Sequence, residues 1–289
     1  MSWLIDAISD WLKQLLIDGI LAKYSGLFDE INEQIGEIAV QVGSSPSDWN
    51  FNVFNTVKNL SETVVIPIAG IILTYVLCYE LIQMVVTGNN FRDFDTAIFF
   101  KWILKTFIAV YILTNTFNIT MAIFDVAQSI VNDAAGVIRG SIELGGDATL
   151  ASIQTELEAM GVGELIGVYL ETNIVGLCLW AMRLFIFVVV WGRMMEIYLT
   201  ISLAPIPMST MVNHQWGQIG NNYLKSLFAL AFQGFLIMVC VAIYTALVTS
   251  IGSTDSLHGS IWSVAGYTAL LCFILLKTGS ISKSVFSSH

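Results

Sequence analysis

Apolar residues in this chain fall in long unbroken runs, neither alternating like a half-buried strand nor confined to the single stripe of a soluble helix. Five stretches approach the 20 or so predominantly apolar residues that a helix needs to cross a bilayer: 64–86, 97–117, 174–192, 223–251 and 261–277. Strands of a membrane barrel would alternate over about 10 residues with polar inward faces. These runs are apolar all round, so the pattern predicts an all-α, polytopic helical membrane protein with about five transmembrane helices. Residues 64–289 then form the membrane domain and residues 1–63 an N-terminal helical arm.

The third run is longer than one simple crossing. Apolar character persists from Ile174 to Ala204, 31 residues, or about 46 Å of helix against a hydrocarbon core of about 30 Å. Gly192, Arg193 and Glu196 interrupt it. The expected arrangement is a membrane helix to about Trp191, then a separate interfacial piece that Pro205 and Pro207 terminate. A single long tilted helix is the alternative.

Outside the runs, residues 3–24 place Leu4, Ala7, Ile8, Trp11, Leu12, Leu15 and Leu16 on one helical face, a surface for membrane or partner. Residues 43–50 (GSSPSDWN) predict a loop, followed by a polar helix leading into the first crossing. Segment 118–172 starts helical, loosens at 140–147 (GSIELGGD) and resumes as a helix before the third crossing.

Composition agrees with the pattern. The chain is 56% hydrophobic and only 12% charged, with a mean hydropathy of +0.75, against about 25% charge in soluble domains. That excludes an ordinary cytosolic enzyme and a disordered chain. Cys78, Cys178, Cys240 and Cys272 each sit in an apolar run without CxxC or Cys/His spacing, as small hydrophobes. Residues 1–22 lack the basic n-region of a cleavable signal, so no signal peptide is expected.

The net charge of −10 is less informative than its placement. Segments 87–105, 192–225 and the tail from Lys277 hold seven basic and three acidic residues, whereas 1–63, 118–172 and 251–260 hold four basic and eighteen acidic ones. Basic loops stay cytoplasmic. Arg92, Lys101, Lys105 and Arg193 are therefore expected on the cytoplasmic side, with the N-terminus outside, the C-terminus inside, and 118–172 an acidic outer loop.

No HExxH, Walker A, GxSxG or GxGxxG occurs, and His214, His258 and His289 share no ligand spacing. No catalytic residue, cofactor or metal site is expected. Charges within the membrane are costly and functional by default, which singles out Glu80 and Arg183. They would line a substrate or ion path, or be neutralised by ion pairing or by an arginine snorkelling to water. Lys101 and Lys105, one turn apart, would snorkel to headgroups.

Residues 193–247 carry a more specific pattern. The run RMMEIYLTISLAPIPMSTM closes a membrane helix with a Pro-terminated turn; NHQWGQIGNN follows, and YLKSLFALAFQGFLIMV opens the next helix. This resembles the TrbL-type polytopic subunit of bacterial type IV secretion and conjugation systems. In that family an Ala-Pro segment ends one helix and a Lys and a Gln punctuate the next. The matching positions here are Ala204 and Pro205, with Pro207 just after, then Lys225 and Gln233.

The resemblance implies a scaffold and conduit subunit in the bacterial inner membrane, surrounded by lipid and assembled as a homo-oligomeric ring. Its implied partners are cytoplasmic ATPases, outer or pilus-like subunits and, transiently, translocated DNA or protein. Asp125, Glu156, Glu158 and Glu164 would then form the outer-loop partner surface. The loop carries one basic and eight acidic residues, unlike a nucleic-acid groove, which is basic. The rival reading is a self-contained transporter or ion channel built on Glu80 and Arg183.

Overall fold

The computed structural model describes residues 2–87, 96–139, 147–253 and 257–286. It is 94% helical, with no strand among the described residues, as the runs predict. In chain order the helices are α1 (Ser2–Gly43), α2 (Pro46–Trp49), α3 (Phe51–Leu60), α4 (Ile66–Thr87), α5 (Thr96–Thr114), α6 (Thr116–Arg139), α7 (Asp147–Ala159), α8 (Val162–Ser202), α9 (Pro205–Thr210), α10 (Gly217–Thr249) and α11 (Leu257–Val285). Four continuous helical stretches are long and apolar enough to cross a membrane: Phe51–Val86, Val162–Thr210, Gly217–Thr249 and His258–Val285. The bent pair Phe99–Thr114 and Thr116–Val137 makes a fifth if counted as one.

Three boundaries differ from the pattern, each for a local reason. The second run, expected to cross over about 97–117, is carried by two helices that meet at Asn115 with a bend of 66°. There the Asn115 amide donates to the Tyr111 carbonyl at 2.9 Å, and the Thr114 hydroxyl donates to those of Val110 and Tyr111 at 2.9 and 3.1 Å. Side chains that bond back to the preceding turn compete with the helix and bend it. The helix that carries the first run begins before residue 64, because α3 runs into α4 through one π-helical turn at Ser61–Val65. Pro67 has no N–H to give the Thr63 carbonyl and its ring crowds that carbonyl. The wider π turn, closed by the Ile66 N–H on the Ser61 carbonyl, accommodates both.

The third correction concerns α8, which does not break at Trp191–Gly192 but runs 41 residues unbroken to Ser202. Val190, Met194, Ile197 and Ile201 are all buried, so the packing stripe continues past Gly192 at helical spacing. Pro205 and Pro207 both fall in the first turn of α9, where the N–H groups they lack have no partner within the helix. Segment 43–50 also holds more order than a loop. Ser45 caps α2 by accepting from the Asp48 N–H at 3.2 Å, and Asn50 caps α3 by accepting from the Asn52 and Val53 N–H groups at 3.1 Å. The Gly-rich stretch 140–146 lies outside the described residues.

The chain divides into two compact units. The first comprises Met1–Val42, Asn132–Val190 and Ile237–Lys277. In it α1 runs alongside α7 and then parallel to α8: Lys13 reaches the Glu158 carbonyl on α7, while Lys23 bonds Asn173 and Glu30 meets Arg183 on α8. Ile17, Ile20 and Tyr24 of α1 are buried against Leu165, Val168, Val175 and Leu179 of α8, with Ile153 and Leu157 of α7 and Ile261 and Ala265 of α11. Of the face expected over 3–24 to meet membrane or a partner, Ile8, Trp11 and Leu15 stay exposed, while Leu16 packs against this cluster.

The second unit comprises Gly43–Val131, Trp191–Leu236 and Thr278–His289. Phe117, Met121 and Phe124 of α6 pack on Met194, Ile197 and Ile201 of α8 and on Leu227, Leu230 and Ala231 of α10. A further cluster joins Ala69, Leu73 and Leu77 of α4 to Ala109 and Leu113 of α5, with Ile206 and Val212 against it. That cluster seats α9 on the α4–α5 pair.

Candidate functional site

In the second unit, Glu80 is 5% exposed on the last turns of α4. Its Oε1 lies 2.6 Å from Lys105 Nζ on α5, and its Oε2 accepts from Asn213 Nδ2 at 2.7 Å. Asn213, itself 1% exposed, sits in the link between α9 and α10. Its Oδ1 accepts from the N–H groups of Gln215 and Trp216 at 2.8 and 3.1 Å. Trp216 stacks on Tyr75 and Tyr79 of α4, with ring centroids 5.5 Å apart in both pairs. The Tyr79 hydroxyl donates to Gln215 Oε1 at 3.2 Å. One buried carboxylate thus ties α4, α5 and the polar link together.

Both oxygens of Glu80 are engaged, so this geometry is a strut. Removing one partner of a buried pair leaves the other charged in a low dielectric, which costs several kcal/mol. Lys105 departs from the snorkelling expectation, because its ammonium turns inward to Glu80, while Lys101 is exposed. Arg92 lies outside the described residues.

In the first unit, Arg183 faces a carboxylate stripe on α1. Its Nη1 is 3.4 Å from Glu30, and its Nη2 is 3.5 Å from both Glu33 and Glu37. Spacing of i, i+3 and i+7 puts the three glutamates on one face of α1. Glu80 and Arg183 therefore each have partners of their own. Nearby, His258 Nδ1 lies 2.6 Å from Glu171 Oε2. The Tyr24 hydroxyl is enclosed without a hydrogen-bond partner, and burial, then the charges of Glu156 and Glu171, push its pKa well above the ordinary value.

The acidic residues expected on an outer partner surface, Asp125, Glu156, Glu158 and Glu164, are all exposed. Two of them also serve local structure. Glu164 accepts from the Gly161 N–H at 3.0 Å, at the start of α8, and Glu158 accepts from Gln154 at 2.9 Å. Arg193, expected on the cytoplasmic side, is 6% exposed. Ala204 and Pro205 are buried in the turn between α8 and α9, with Pro207 half-buried in α9. Lys225 is exposed on α10, whereas Gln233 is buried and donates to Thr278 Oγ1 at 3.3 Å. Among the described residues no group of His, Cys, Asp or Glu is placed to hold a metal ion.

Sequence reasoning missed Asn213 and the α1 glutamates. The glutamate stripe was visible as E-x-x-E-x-x-x-E over 30–37. Asn213 left no signal, since an asparagine in a polar link is ordinary.

Residues 31–205 match the family model described as TrbL/VirB6 plasmid conjugal transfer like protein. The chain belongs to this family. The matched region includes α3 to α8, Glu80, Lys105 and Arg183, and ends at Pro205, so Lys225 and Gln233 fall beyond it. No curated protein and no solved structure matches the chain. Membership in the TrbL/VirB6-like family, together with the apolar helices, makes this a multi-pass membrane protein of a conjugal transfer system.

Proposed function

We propose that this chain is a scaffold and conduit subunit of a type IV secretion machine in the bacterial inner membrane. It assembles as a homo-oligomeric ring through which DNA or protein is moved. The observation that carries this reading is the family match over residues 31–205. In this reading the N-terminus and residues 1–63 lie outside, the C-terminus lies in the cytoplasm, and segment 118–172 meets outer or pilus-like subunits. The 205–225 link faces the cytoplasmic ATPases.

Two observations support a structural role for the intramembrane charges over a transporter site. Glu80 has both oxygens engaged, by Lys105 and Asn213, and Arg183 faces three glutamates. The test is imaging of the protein purified in nanodiscs, with and without co-expressed machine components. The expected result is a symmetric ring that co-purifies with an ATPase or a pilus-like subunit. A stable monomer that recruits neither, and conducts ions in a Glu80-dependent way, would replace this reading with the transporter.

A further inference from the structure

Arg193 is a buried charge in the apolar helices, whereas Lys101, Lys225 and Lys277 are exposed. Glu80 with Lys105, Arg183 with its three glutamates, and Glu196 with Lys283 are all paired. Arg193 is 6% exposed, its Nε is enclosed without a hydrogen-bond partner, and it makes no ion pair among the described residues. Glu196, whose charge acts on it from the same helix, lies 3.3 Å from Lys283 Nζ on α11. Guanidinium cannot shed its charge as a buried lysine can. A buried, permanent cation with no ion pair among the described residues, whose neighbour Glu196 is shared with Lys283, is suited to take up an anion.

The surroundings indicate which anion. Trp191, two residues before Arg193, packs edge-on against Trp49 with centroids 4.6 Å apart, and Tyr198 lies 5.8 Å from Trp49. Such Trp/Tyr clusters mark headgroup depth in membrane proteins. Lys283, half-exposed in its loose pair with Glu196, adds a second cation in the same unit. Arg193, at 6% exposure, is too enclosed to meet the face of a folded protein. Its planar fork matches a phosphoryl group, and basic recesses between membrane helices hold lipid headgroups in this way. We propose that Arg193 binds a phosphoryl anion, either the headgroup phosphate of an anionic phospholipid or free phosphate. This inference is independent of the conduit reading.

The test uses the full chain in nanodiscs of phosphatidylcholine alone, with added phosphatidylglycerol, or with inorganic phosphate at matched ionic strength. The readout is the thermal unfolding midpoint. The midpoint is expected to rise with phosphatidylglycerol or with phosphate, and Arg193→Met to abolish the rise while Lys225→Met, at an exposed site, retains it. A response to phosphatidylglycerol alone identifies the lipid headgroup as the source; an equal response to inorganic phosphate identifies the free ion. If Arg193→Met does not fold, Arg193→Lys serves, with the half-saturating concentration rising about tenfold as the fork is lost. The proposal is overturned if the wild-type midpoint responds to neither, or if the Arg193 variants respond as the wild type does.

Discussion

Asn213 donates its side-chain amide to Glu80 at 2.7 Å, while its carbonyl oxygen receives the N–H groups of Gln215 and Trp216. A residue in a polar link is thereby fixed by a carboxylate 133 positions earlier in the chain. Because Asn213 is 1% exposed, every one of these bonds is made where water does not compete well.

Glu80 is therefore expected to tolerate loss of charge better than loss of its oxygen atoms. Glu80→Gln keeps an acceptor for Lys105 or Asn213. Glu80→Ala leaves both unpaired; Lys105 can turn to solvent because its side chain is 44% exposed, so the expected cost, about 1–3 kcal/mol, comes mainly from the buried Asn213 donor. Thermal unfolding in detergent and a conjugation assay check this. Full loss of transfer in a well-folded Glu80→Gln protein would count against the strut.

Asn213→Ala removes three hydrogen bonds at once and leaves a buried carboxylate oxygen unmatched. A cost of about 2–3 kcal/mol is expected. Hydrogen exchange should rise at the Gln215 and Trp216 amides and leave α11 unchanged, because the damage is local to the link. Uniformly faster exchange would mean that the turn is held by something else.

Two glycines should respond in opposite directions. A Cβ at Gly220 would lie 2.1 Å from Met211 Cγ and 2.7 Å from the Pro207 carbonyl oxygen, which is backbone and cannot move aside cheaply. Gly220→Ala is expected to cost about 1–3 kcal/mol or more by overpacking. Nothing lies within 4 Å of a Cβ at Gly136 in α6, so Gly136→Ala should stabilise by about 0.5–1 kcal/mol through helix propensity. Unfolding midpoints of the two variants decide the matter.

Tyr24 gives a pH dependence. Burial and the charges of Glu156 and Glu171 raise the folded-state pKa above the ordinary 10.0, so the folded protein holds the proton more tightly than the unfolded chain. Above about pH 10 the unfolded state ionises first and stability falls as pH rises. Tyr24→Phe should flatten this alkaline loss. At neutral pH it should stabilise by about 1 kcal/mol, since the hydroxyl it deletes is buried without a partner. Unfolding curves between pH 7 and 11 test both parts.

By itself the sequence determined what hydrophobicity and length dictate. Runs such as 64–86 and 261–277 cannot be solvated as loops or closed as strands, so they became the helices α4 and α11 with nearly the expected centres. The turn at Ala204–Pro205 was equally legible, because proline chemistry acts within a few residues. Only the tertiary structure decided the partners of the charges. Lys105 read as a snorkelling lysine because headgroups are the default destination of a long cationic side chain; packing α5 against α4 offered Glu80 instead. Arg193 read as an interruption of the third run, and only the packing decided that it is buried, since helical periodicity carried α8 past Gly192 and turned that position inward. Hydropathy is a property of each segment against its solvent, whereas counter-charges are supplied by segments distant in sequence, and folding alone brings those together.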